Sequence, residues 1–179
     1  MSRMCDCFPE LKKTTLEREA RFLATPEAPV PEGPQSQFHV KVRSIGNLNE
    51  YVECGRSGHT FIISEPVAVG GENIAPFPLE FLLAGATGCY AAVFAFYAAK
   101  LDVPYDTFEI TAHTQLDVRG HMIPDAPPSN FQKVFLDIRI SSSAPLERLR
   151  EVERLALAGC PGINTLRHPV PVTSQITLV

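Results

Sequence analysis

From Phe38 to Gly46 apolar and polar side chains alternate. Phe38, Val40 and Val42 are set against His39, Lys41 and Arg43, the period of a half-buried strand. NEYVECG and HTFIISEP predict two more short strands, joined by a tight turn at Gly55-Arg56-Ser57-Gly58. The Gly/Pro loop Val69–Pro78 then feeds a long apolar helix from Leu79 to Leu101, with Pro78 placed for its first turn. Glu80 is an acidic residue at the positive end of that helix dipole. Alternation returns over Thr107–Gly120, where Phe108, Ile110, Ala112, Leu116 and Val118 mark a long strand. After the proline-rich loop HMIPDAPPSN, Phe131–Ser143 places Val134, Leu136, Ile138 and Ile140 on one face, so the two runs form an antiparallel hairpin. Pro145–Gly159 has Leu146, Leu149, Val152, Leu155 and Ala156 at helical spacing, and VPVTSQITLV predicts a closing strand. Strands, buried helix, hairpin, amphipathic helix and strand, in that order, make an α+β fold.

Ahead of this body stands a different kind of segment. Leu11–Ala24 predicts a short helix with a sparse apolar face, and Thr25–Gln37 carries four prolines that stop any helix. Residues 1–36 are therefore an arm and Pro-rich linker, and residues 37–179 the folded domain. A chain of 179 residues with 45% hydrophobic content can bury a core without disulfide staples. Net charge is −4 and no basic cluster occurs, which argues against nucleic acid as a partner.

Five cysteines, Cys5, Cys7, Cys54, Cys89 and Cys160, form an odd and unevenly spread set, unlike a secreted disulfide framework. With no apolar signal core near Met1, the expectation is a cytoplasmic, reducing location. Phe81–Ala99 is uncharged and long enough to cross a membrane. Its Ala/Gly richness, Thr87 and Cys89, and the lack of strong cationic flanks favour a buried core helix instead, so no membrane partner is expected. No metal is expected: Cys5-x-Cys7 is too closely spaced for a usual zinc pair, and Cys54 and His59 complete four ligands only if the arm folds back. The histidines show no HExxH pattern, GGEN lacks the Lys-Ser/Thr of a phosphate loop, and no G-x-S-x-G elbow is present. No cofactor is expected either.

The segment PFPLEFLLAGATGC resembles the motif of OsmC/Ohr-type proteins, in which a proline, a glutamate and small residues lead into a cysteine. GHTFIISEPVAVGGENIAPFP before it, then LDVRG, the loop ending in Phe131, AGCPG (Ala158–Gly162) and PVPVTSQI follow in the family's order. The resemblance covers Phe38 to Val179. It implies an OsmC-like fold, with antiparallel sheets around a long buried central helix and an intertwined homodimer with active sites at its interface. The residues point the same way. Ala84, Gly85, Ala86, Gly88, Ala91 and Ala92 give a slender helix that a second helix can approach closely.

Resemblance to the family's peroxidases further implies reduction of organic hydroperoxides in oxidative stress defence. Cys89 attacks the O–O bond and becomes a sulfenic acid, Cys160 condenses with it, and an external dithiol reduces the disulfide. Glu80 and an arginine are implied to support the thiolate, with Arg56, Arg43 and Arg119 as candidates and Arg56 the preferred one. In the best-defined peroxidase motif the glutamate stands ten positions before the cysteine, here Leu79. Glu80 stands nine before it, a register found in other OsmC-like branches, and one residue turns a helical side chain by about 100°. From the residues alone, Cys160 is expected to be the more acidic thiol, because Gly159 and Pro161 place it at the start of a short helix. Desolvation in the apolar helix raises a thiol such as Cys89. The alternative function is a non-catalytic dimer binding an apolar small molecule, its cysteines acting as small buried hydrophobes.

Overall fold

A computed structural model describes residues 4–26 and 37–178, with only the backbone described at residues 4 and 5. The proline-rich linker falls largely on residues 27–36, outside the described residues. The chain divides into two compact units, one of Lys13–Ala84 and one of Met1–Lys12 with Gly85–Val179. After a 3-10 turn at Met4–Cys7, α1 (Phe8–Ala24) is the helix expected in the arm.

In the unit of Lys13–Ala84, β1 (Val40–Gly46), β2 (Asn49–Cys54) and β3 (Thr60–Ser64) form an antiparallel sheet in that order. The turn predicted between β2 and β3 closes with the Gly58 N–H donating to the Cys54 carbonyl at 2.8 Å, and Gly58 adopts φ +72°. That left-handed conformation is open to glycine at little cost. A polar knot fixes the loop that follows β3. Buried Ser64 donates to Asn49 Oδ1 at 2.6 Å, Asn49 donates to Glu72 at 2.6 Å, and Asn47 donates to the other Glu72 oxygen at 2.9 Å. Phe61 stacks on Phe81 with ring centroids 4.6 Å apart, so β3 is packed against the first turn of α2 (Pro78–Lys100).

In the other unit the C-terminal half of α2 supplies the core, with Ala86, Tyr90, Phe94, Ala95, Ala98 and Ala99 buried. The hairpin of β4 (Thr107–Leu116) and β5 (Phe131–Ser141) lies over it. Its register pairs Phe108 with Ile140, Ile110 with Ile138 and Ala112 with Leu136, which stacks the apolar alternation of both strands on one face. α3 (Leu146–Gly159) buries Val152 and Ala156, and α4 (Pro161–Arg167) buries Ile163. Four aromatic rings knit the centre: Phe94 meets Phe108 at 4.8 Å and Tyr105 at 5.8 Å, and Phe8 from α1 meets Tyr105 edge-on at 5.4 Å. Lys12 adds an ion pair with Asp102 at 2.6 Å, so the first turns of the arm dock on this unit.

Four expectations are corrected. β1 is exposed along its whole length rather than half-buried, because no element among the described residues covers either of its faces, whereas β3, the other edge of the same sheet, is partly buried. β4 stops at Leu116, since Asp117 accepts the Arg119 N–H at 3.0 Å and turns the chain. Residues 169–178 form no strand, and Val172 and Ile176 are about nine-tenths exposed: the segment pairs with no strand edge among the described residues, so its alternating apolar side chains have no face to cover. Finally, α2 is long and apolar enough to span a membrane, but it is not buried throughout. Leu79, Leu82, Ala84, Gly85, Gly88 and Ala92 are exposed.

Phe94→Ala should lower the unfolding free energy by about 3–5 kcal/mol in a urea titration, the usual cost of emptying an aromatic core site. Glu147→Ala, which removes an exposed ion pair with Arg150, should cost less than about 1 kcal/mol.

Candidate functional site

The sequence separates Cys89 and Cys160 by most of the domain, and the fold brings them into contact. Both are free thiols, Cys160 buried and Cys89 half-buried, and they lie close enough that the Cys89 thiol acts on that of Cys160. What makes the contact possible is the absence of a side chain at Gly162. A Cβ there would stand 3.0 Å from the Cys89 Cβ, 3.1 Å from the Ala86 Cα and 3.3 Å from the Ala86 carbonyl oxygen. The first turn of α4 therefore sits directly on the backbone of α2. Gly159, at the end of α3, allows a similar approach, since a Cβ there would stand 2.9 Å from the Tyr97 hydroxyl.

Cys160 is the hinge between two helices. Its N–H donates to the Ala156 carbonyl at 2.9 Å, ending α3, and its carbonyl accepts from the Asn164 N–H at 2.9 Å, opening α4. Its Sγ accepts the Ile163 N–H at 3.4 Å, with Pro161 in the first turn, so the capping role expected from Gly159-Cys160-Pro161 is present. The acidity expected from that cap is not. Burial pushes the Cys160 thiol up, the Cys89 thiol adds to the rise, and the hydrogen bonds from Ile163 and Gly162 oppose it without winning. Cys160 is therefore held as a neutral thiol beside the more accessible Cys89.

Glu80 and Arg56 belong to the other unit, and each has a local partner. Glu80 Oε2 accepts the Phe77 N–H at 3.0 Å, capping the start of α2. The Arg56 guanidinium lies 5.0 Å from the Phe38 ring centre. Arg43 pairs with Glu53 at 3.1 Å, and Arg119 pairs with Asp117, whose carboxyl the guanidinium holds down at about 2. Among the described residues, no group of three or more His, Cys, Asp or Glu is arranged to hold a metal ion.

Two functional neighbours are not legible in the sequence. Gly162 is visible there as a glycine in AGCPG, but its closeness to Cys89 is a tertiary fact. Tyr90, next to Cys89 on α2, is fully buried with a hydroxyl that has no hydrogen-bond partner among the described residues. Burial raises its pKa strongly, and the charges of Glu153 and Cys160 raise it further.

The domain is α+β, and it brings two free cysteines together where α3 meets α4. A family model described as OsmC-like protein matches residues 70–175, more than half of the chain, and the chain belongs to the OsmC-like family. Among solved structures, an OsmC-like protein from Mycoplasma pneumoniae is similar at 14% identity and TM-score 0.64, over 74% of this chain and 89% of that one. An organic hydroperoxide resistance protein OsmC from Legionella pneumophila is similar at 19% identity and TM-score 0.56, over 74% and 90%. An OsmC-like hydroperoxide resistance protein from Jannaschia sp. CCS1 is similar at 17% identity and TM-score 0.50, over 79% and 92%. At these identities the likeness concerns the fold. No curated protein sequence matches.

Two outcomes test this geometry. Gly162→Ala should cost about 1–3 kcal/mol from overpacking, and it should lower the yield of Cys89–Cys160 disulfide formed with diamide, measured by peptide mapping. Because the folded pKa of Cys160 is raised, its contribution to stability is full below the ordinary thiol pKa and is lost as pH rises through the raised value. In a Cys89→Ser chain, alkylation of Cys160 by iodoacetamide should accordingly set in at higher pH than that of free cysteine.

Proposed function

We propose that this protein is a cysteine-dependent peroxidase that reduces organic hydroperoxides in a reducing, cytoplasmic setting. The observation that carries the reading is the contact between the more accessible Cys89 and the buried, neutral Cys160. That is the asymmetry a nucleophile and a resolving thiol require. The Cys89 thiolate attacks the distal peroxide oxygen. The O–O bond breaks, the alcohol leaves with a proton, and Cys89 becomes a sulfenic acid. The Cys160 sulfur then displaces that hydroxyl, its proton leaves with the oxygen as water, and a disulfide forms. A dithiol reductant returns both thiols. Arg56 is the preferred supporting cation, since Arg43 and Arg119 are already paired with carboxylates. Glu80 would hold it, although in this structure Glu80 caps α2.

The working form is a homodimer in this proposal. A Cβ at Gly85 or Gly88 would meet nothing within 4 Å, so their small size serves no contact within the chain. Together with exposed Leu79 and Leu82 they present an apolar helix face that a second copy would cover. Gly88→Leu should leave the circular dichroism spectrum unchanged and shift the sedimentation-equilibrium mass toward that of one chain.

The alternative, a non-catalytic dimer holding an apolar small molecule, draws on the capping role of Glu80. Stopped-flow consumption of cumene hydroperoxide with excess dithiothreitol separates the two. Cys89→Ser should reduce consumption to the reagent background. Cys160→Ser, assayed without reductant, should consume one peroxide per chain and stop. Undiminished consumption by Cys89→Ser, or none by the unaltered chain, contradicts the peroxidase reading.

A further inference from the structure

A cavity of about 440 Å³ opens in the unit that holds the cysteine pair, enclosed by β5, α3 and α4. That size falls in the range of small-molecule sites, about 300–1,000 Å³. Its lining is mixed, with an aliphatic part formed by Val134, Leu136 and Ile138 on one side and Leu157, Ile163 and Leu166 on the other. Arg167 lines it with a guanidinium pinned by a 3.1 Å hydrogen bond to the carbonyl of Leu157, itself a lining residue. Lys133 adds a second cation and Glu153 the one carboxylate, leaving a net positive lining, and none of the three has an ion-pair partner among the described residues. Tyr90 closes the inner end of the cavity, fully buried, and its hydroxyl has no hydrogen-bond partner among the described residues.

We infer that this cavity is a binding site for a carboxylic acid with an apolar body, its carboxylate held by Arg167 and Lys133 and its body packed between β5 and the α3–α4 pair. The anionic head group follows from the cation excess and from the fixed guanidinium, which suits a carboxylate geometrically. The apolar body follows from the six aliphatic walls. Glu153, whose charge is felt at the Tyr90 hydroxyl, keeps the carboxylate away from that end and toward Arg167. The site is distinct from the point of peroxide attack, yet it adjoins the thiol pair. Ile163 lines the cavity, and the same residue's N–H holds the Cys160 sulfur at 3.4 Å.

Isothermal titration of the reduced Cys89→Ser full chain with decanoate, and with decanol as its uncharged counterpart, tests the site whether or not the protein is a peroxidase. One decanoate should bind per chain. Arg167→Gln should weaken decanoate about tenfold, the scale of one charge-assisted hydrogen bond, and leave decanol nearly unchanged. Val134→Trp, which fills the cavity from β5, should abolish both while the chain remains folded by circular dichroism. Should that variant misfold, Lys133→Gln supplies the second reading, again weakening decanoate alone. The inference is overturned if decanoate does not bind, if it binds no better than decanol, or if Arg167→Gln and Lys133→Gln leave its affinity unchanged.

Discussion

Everything at the site depends on how closely two helices approach. The first turn of α4 rests on α2 where Gly162 faces Ala86 and Cys89, at separations of 3.0–3.3 Å that an added methyl group would crowd. The approach places Cys160 against Cys89 and encloses it completely, and enclosure in turn raises the thiol. Close packing, burial and protonation state are thus consequences of one missing side chain. The aromatic cluster of Tyr105, Phe94 and Phe108 serves the same end by fixing α2 under the β4–β5 hairpin.

In the proposed peroxidase, the asymmetry between the thiols would give the pair its direction. A thiol that must wait for a sulfenic acid is best kept neutral and unreactive, whereas the attacking thiol has to meet both peroxide and activating charge. Cys160 satisfies the first condition through its own chain. Cys89 is the more accessible of the two. The α2 face of Leu79 and Leu82, the strand β1 and the segment 169–178 leave apolar side chains exposed among the described residues.

Much of this was legible in the sequence, for physical reasons that can be named. Period-two alternation located β4 and β5 because one face of that hairpin is buried, and heptad-like spacing located α3 because Val152 and Ala156 face a core. The same alternation misled at β1 and at VPVTSQITLV. Alternation records that a face is meant to be covered, but not by which chain. The Gly-Cys-Pro sequence correctly announced a helix junction, yet a cap is a local feature and the pKa follows from total burial. Tyr90 left no signal at all: a tyrosine in an apolar helix looks like core, and its unsatisfied hydroxyl exists only in three dimensions.

The most direct test of the account is thiol titration of the reduced protein under anaerobic conditions, before and after one equivalent of cumene hydroperoxide, with peptide mapping of the product. The account predicts the loss of two thiols per chain and a stoichiometric Cys89–Cys160 disulfide, formed much faster than free cysteine reacts with the peroxide. Recovery of both thiols unchanged at those positions would contradict it.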